Sequence, residues 1–278
     1  MYTLPSYASL VTITACIVVV PALAAIGYVA ARQRGSPRRS ALGVALGVGA
    51  LLVAWLAAAA ATGGADVFLG RADDTVPAIA GGLLIPICAG VLLTRIPAVR
   101  DALATPRVLA LLTLVNTWRV VGIVFITLYL QQLLPAHFAL PAGIGDVIIG
   151  LAAPVVAYAM WKHPTRRRLP ITFHALGLLD LAMAVTLGVT SAPGVLQLFT
   201  GQPNTLPMTV LPEVLVPTFL LPIGVIIHIT VLRILAHQPS LTAIQPGDSA
   251  SRDRTPHAAE AATATIKRAT DTSVAAQP

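Results

Sequence analysis

Long apolar runs alternate along this chain with short stretches rich in Arg, Pro and Gly. The runs cover residues 7–31, 40–62, 76–94, 109–133, 143–161, 171–190 and 211–235. A helix rises 1.5 Å per residue and needs about 20 mostly apolar residues to cross a hydrocarbon layer about 30 Å thick. Each run comes close to that length or passes it. Polarity does not alternate within them, so they read as helices and not as strands of a membrane barrel. The pattern predicts an all-α, polytopic integral membrane protein with seven transmembrane helices.

The charges between the runs give an orientation, because short cytoplasmic loops retain Lys and Arg. Arg32, Arg34, Arg38 and Arg39 follow the first run, Arg95, Arg100 and Arg107 the third, and Lys162, Arg166, Arg167 and Arg168 the fifth. Arg233, Arg252, Arg254, Lys267 and Arg268 lie at or after the end of the seventh. Of the 18 Lys and Arg residues, only Arg71 falls on the other side and only Arg119 falls near the middle of a run. The N-terminus is therefore expected outside and the C-terminus inside.

Composition agrees. The chain of 278 residues is 56% hydrophobic and 10% charged, whereas soluble domains carry about a quarter charged residues. The net charge of +7 follows from basic loops, so nucleic acid is not an expected partner, and the lipid bilayer is. Two cysteines exclude a disulfide scaffold and a Cys-rich zinc site. The strong excess of Arg over Lys and the high Ala content suggest a GC-rich bacterial genome and hence the inner (cytoplasmic) membrane. The first run is too long, and lacks the basic start, for a secretory signal.

Residues 1–236 read as one membrane domain with two unequal halves. Residues 1–106 hold three apolar helices. Gly43 and Gly47 form a GxxxG, and Gly82, Pro86 and Gly90 a small-residue stripe, both suited to close helix packing. Residues 107–236 hold four helices and all of the intramembrane polarity: Asn116, Arg119, Asp146, His174, Asp180, Glu213 and His228. Charges at such depth are costly and usually face the bundle interior. Residues 237–278 are rich in Ala, Thr, Ser, Pro and Gln, and read as a disordered cytoplasmic tail that could meet a cytoplasmic protein partner.

Arg119 and Asp180 fall near the middle of their runs, which predicts a pair. Asn116 lies one turn from Arg119, and Trp118 beside it is expected to pack as an ordinary core residue, with stacking on the guanidinium the alternative. Asp180 shares a helical face with Gly177, Ala184 and Gly188. Asp146 is expected in the first turns of the fifth helix, toward the outside, where the helix dipole favours a carboxylate. Glu213 follows Pro212 as in an ordinary helix start, while Pro212, Pro217 and Pro222 recur every five residues and free backbone carbonyls.

Gly143-Ile144-Gly145-Asp146 matches GxGD and resembles the intramembrane aspartyl proteases, which need a second Asp, here Asp180. Those families place the GxGD Asp second, whereas here it comes first. His174 and His228 lie at similar depth on separate helices and could hold a metal or haem b iron, although no cofactor is predicted outright. The chain has no Walker A loop, GxGxxG, HExxH or mid-span Lys.

One Arg against three carboxylates leaves charge that must be protonated, hydrated or cation-bound. The leading expectation is a small secondary transporter or permease coupling protons or cations to a small solute through Arg119, Asp180, Asp146, Asn116 and Glu213. The alternatives are a membrane enzyme using Asp acid–base chemistry on a lipid-soluble substrate, and a non-catalytic subunit, sensor or haem-binding protein.

Overall fold

Eight helices make up the computed structural model, which describes residues 4–69 and 77–237. They are α1 (Ser6–Gln33), α2 (Arg38–Gly64), α3 (Ala78–Leu93), α4 (Pro97–Leu103), α5 (Pro106–Leu130), α6 (Ala136–Lys162), α7 (Arg168–Thr190) and α8 (Val216–His237). Six are long and apolar enough to cross a membrane; α3 and α4, bent by 87° at their junction, would make a seventh if counted as one span. Arg71 and residues 238–278 of the expected tail lie outside the described residues, and His237 ends α8.

Pro residues set several boundaries. Pro37, Pro77 and Pro135 immediately precede α2, α3 and α6, Pro37 and Pro135 in extended conformation, as befits a fixed φ and a missing N–H. Thr105 caps α5 through its hydroxyl, with Pro106 at the first helical position. The short α4 lies between α3 and α5 as a separate helix.

Polarity is inverted relative to a soluble protein. Leu46, Ile85 and Val155 are 73%, 71% and 67% exposed, whereas Arg119, His174, Glu213 and His228 are wholly buried. That distribution suits a molecule solvated by lipid. Of the six long helices, α5 and α8 are the most buried, at 61% and 67% of their apolar windows, and α2 the least, at 11%. Helix α6 packs along both α5 and α7, and α8 packs on α3 and α7; α1 packs on both α2 and α5.

The basic residues gather at one end. Arg34 donates to the Ala98 carbonyl at 3.3 Å, Thr105 bonds Gln33, and Arg107 sits 5.7 Å from the Trp161 ring. Thr230 reaches Thr94 at 3.3 Å at this end as well. Among the described residues, every Lys and Arg except Arg119 belongs to the helix ends and loops on this side.

Two expectations about glycine divide. A Cβ at Gly82 would meet Phe68 and Thr218 within 3.0 Å, and one at Gly90 would collide with Ile226, so the α3 stripe does seat that helix on its neighbours. A Cβ at Gly43 or Gly47 would meet nothing. The α2 GxxxG therefore packs against no other helix among the described residues, and the α1–α2 contact runs through Gly27 and Gly49 instead.

Candidate functional site

The site begins with a break in α5. Its middle, Asn116–Gly122, is a 3₁₀ helix between α-helical halves. A 3₁₀ stretch inside a helix marks strain or function. The segment holds Asn116, Thr117 and Gly122, all weak helix formers. Helix α6 crosses it closely: a Cβ at Gly143 would stand 2.7 Å from the Gly122 carbonyl oxygen, and one at Gly150 2.6 Å from the Val120 nitrogen.

Arg119 leaves this segment and is entirely enclosed. Its Nε donates to Asp146 Oδ1 on α6 at 2.6 Å, and Nη2 donates to Asp180 Oδ2 on α7. Its Nη1 donates to the Gly177 carbonyl at 3.1 Å and lies 3.3 Å from His228 Nε2 on α8. Four of the five guanidinium N–H directions thus have acceptors on three other helices. Two glycines clear the space. A Cβ at Gly145 would collide with the Asp180 carboxylate, and one at Gly177 with the His228 ring.

A directional hydrogen-bond chain continues from Arg119. His228 Nδ1 faces His174 Nδ1 at 2.8 Å, and His174 Nε2 faces the Thr113 hydroxyl at 3.0 Å. A guanidinium can only donate, so His228 Nε2 must accept. Neutral His228 then carries its proton on Nδ1 and donates to His174 Nδ1. His174 in turn carries its proton on Nε2 and donates to Thr113 Oγ1, whose own proton goes to the Leu109 carbonyl at 2.8 Å. Arg119 fixes both tautomers and leaves no second choice.

The expected Arg119–Asp180 pair is present, and Asp146 joins it. Asp146 is not at a helix start, because α6 begins at Ala136 and runs through Pro141. It lies ten residues beyond that start, about 15 Å along the axis, which brings it level with Arg119. His137 holds the early start of α6, with Nε2 2.7 Å from Ser191 Oγ and its ring against Phe199.

Other candidates fall elsewhere. Asn116 turns back on its own helix, donating to the Leu112 and Thr113 carbonyls at 3.1 and 3.3 Å. Glu213 sits in the turn before α8, and its Oε2 accepts from Thr12 Oγ1 at 2.8 Å. Neither side chain bonds the Arg119 guanidinium. The Asp146 and Asp180 carboxyls bind one guanidinium, an arrangement that does not fit a water-activating protease dyad. All four ring nitrogens of His174 and His228 are committed to hydrogen bonds, which does not fit axial ligation of a haem. Depth in the sequence pairs the two histidines with each other but not with Arg119. The signal for that link is the guanidinium's unmet need for acceptors.

A cavity of about 100 Å³ adjoins the cluster. Its wall is mainly apolar, with Phe125, Phe138, Leu181, Val185 and Met208 contributing. Asp146 is the ionisable residue that lines it, and Pro193, Gly194 and Thr205 from the loop after α7 line it too. Trp118 lines it as well, and its indole N–H has no acceptor. The cavity therefore links the bundle end bearing the α7–α8 loop to the carboxylate that holds Arg119.

Six to seven apolar helices around a buried ionic cluster make this a multi-pass membrane protein by the length and composition of its helices. No curated protein and no solved structure matches the chain. Residues 76–236 match the model of a domain of unknown function, DUF8737. That stretch covers α3 through all but the last residue of α8, including every residue bonded to Arg119, and the chain belongs to the DUF8737 family.

Proposed function

We propose that this protein is a small secondary transporter that exchanges a proton at Asp146 while a small solute occupies the adjoining cavity. The observation that carries this reading is the charge count at the cavity's end. Two carboxylates share one guanidinium, and of the two it is Asp146 that lines the cavity. With both ionised, one negative charge is left over in a low-dielectric setting, where a proton or a cationic group is strongly favoured. Arg119 serves as the fixed centre and not as an anion receptor, because four of its five donors are already taken by the protein. The solute class that suits this cavity is mainly apolar with one hydrogen-bond donor or positive charge.

The basic end of the bundle faces the cytoplasm in this reading, by the rule that short inner loops keep Lys and Arg. The cavity mouth at the α7–α8 loop then opens to the outside of a bacterial cytoplasmic membrane. The full chain, purified into liposomes with an entrapped pH-sensitive dye, tests the reading against a panel of small amines and alcohols. Solute-dependent proton movement is expected, and Asp146→Asn should abolish it while keeping an acceptor for Arg119. Flux no greater than in empty liposomes for every solute, or full flux in Asp146→Asn, overturns it. Chemical conversion of a lipid-soluble solute without flux favours the enzymatic alternative.

A further inference from the structure

Glu213 is a second buried acid, and it plays no part in the Arg119 cluster. It is wholly buried in the turn that leads into α8, between Val214 at 0% exposure and the loop residue Pro212. One carboxyl oxygen accepts from Thr12 on α1 at 2.8 Å; the other has no hydrogen-bond partner. No ion pair to it occurs among the described residues, whose intramembrane ion pairs all belong to Arg119. The titratable group facing it from α1 is the thiol of Cys16, one turn beyond Thr12, itself 2% exposed. From α2, the contact to this turn comes from Gly63 against Val214. Helix α3, which packs on the first turn of α8, carries no charged residue over Ala78–Leu93.

A carboxylate with a single hydrogen bond and no counter-charge is too costly to hold in such a place. The neutral acid avoids that cost: its carbonyl oxygen accepts from Thr12, and only a hydroxyl is left without a partner. We infer that Glu213 is a proton-binding site separate from the Arg119 cluster, occupied at neutral pH, and that its proton is what keeps α1 seated on the entry to α8. Loss of the proton would put a bare anion between Thr12 and Cys16. Relief would come only by admitting water there, which parts α1 from the turn. The inference does not depend on transport.

Infrared difference spectroscopy of the full chain in liposomes tests it. At pH 7 the wild type should show the carbonyl stretch of protonated carboxyls in an apolar setting, Asp146 contributing one band in the proposed transporter and Glu213 another. The Glu213 band is the one that Asp146→Asn leaves in place, and Glu213→Gln should remove it. Thr12→Val, which deletes the one hydrogen bond to the carbonyl, should move the band to higher frequency. Absence of the band in the wild type, its survival in Glu213→Gln, or an unshifted band in Thr12→Val would each overturn the proposal. The Thr12→Val measurement keeps the test decisive if Glu213→Gln fails to fold. If the band is absent and sodium alone raises the unfolding temperature of the wild type but not of Glu213→Gln, the site is a cation site and the proton assignment falls.

Discussion

His174 and His228 meet nitrogen to nitrogen, their Nδ1 atoms 2.8 Å apart. Such a contact requires that one Nδ1 carry the proton and the other not. Arg119, 3.3 Å from the far nitrogen of His228, decides which. Nitrogen-15 spectra of protein with labelled histidine should therefore show two neutral rings of opposite tautomer at pH 7, with the proton on Nδ1 of His228 and on Nε2 of His174. Arg119→Leu frees His228 Nε2 from its donor, and a mixture of tautomers is expected. Two rings with the same tautomer in the wild type would contradict the chain of donors derived from the guanidinium.

Removing Arg119 should be far more damaging than neutralising one of its partners. Arg119→Leu strands two buried carboxyls, and breaking a buried pair costs about 3–5 kcal/mol. Arg119→Lys should recover little, since an ammonium cannot reach acceptors on three helices at once as a planar fork does. Asp180→Asn keeps an oxygen for Nη2 and removes excess negative charge, so a loss of about 1 kcal/mol or less is expected. Combining Arg119→Leu with Asp146→Asn and Asp180→Asn should restore some of the loss. Denaturant titration in mixed micelles measures all of these.

The glycines make a paired prediction. Gly145→Ala would drive a methyl into the Asp180 carboxylate and Gly177→Ala into the His228 ring. Overpacking of this kind costs about 1–3 kcal/mol. Gly43→Ala meets open space and replaces a poor helix former with the best one, so no loss, or a gain of up to about 1 kcal/mol, is expected. Unfolding temperatures in one detergent would separate the two classes. Equal loss at Gly43 and Gly177 would mean that α2 is packed on something this chain does not itself supply.

How far these features are legible in the sequence follows from the same physics. Hydropathy over about 20 residues is a strong signal, so the long runs match most helices within a few residues, and the central Arg119–Asp180 pair follows from matching depths. Asp146 is misplaced by sequence alone because Pro141 looks like a helix boundary. The helix in fact passes through it, giving up the hydrogen bond that residue 141 would otherwise make to the His137 carbonyl, as membrane helices tolerate. The 3₁₀ break in α5 leaves no periodic trace in so apolar a run. The GxxxG at Gly43 is visible as a pattern, but a pattern does not say which face meets a partner. The histidines look like metal ligands because depth alone says nothing of the donor beside them.

The prolines of the last helix give a final test. In an α-helix the Thr218 carbonyl would accept from residue 222, but that residue is Pro222 and has no N–H. Trp55 of α2 fills the gap, its indole donating to the Thr218 carbonyl at 3.1 Å while its ring lies edge-on to Phe219 at 5.0 Å. The segment Val216–Leu220 is a π-helical turn, with the Leu221 amide reaching back to the Val216 carbonyl. Trp55→Phe keeps the aromatic contact and strands the carbonyl, so a loss of about 1–2 kcal/mol is expected. Pro222→Ala supplies an amide able to take over that carbonyl. In its background Trp55→Phe should cost about 1 kcal/mol less, a non-additivity that a double-mutant cycle reads directly. Strict additivity would mean that Trp55 acts through packing alone and that the freed carbonyl finds its partner elsewhere.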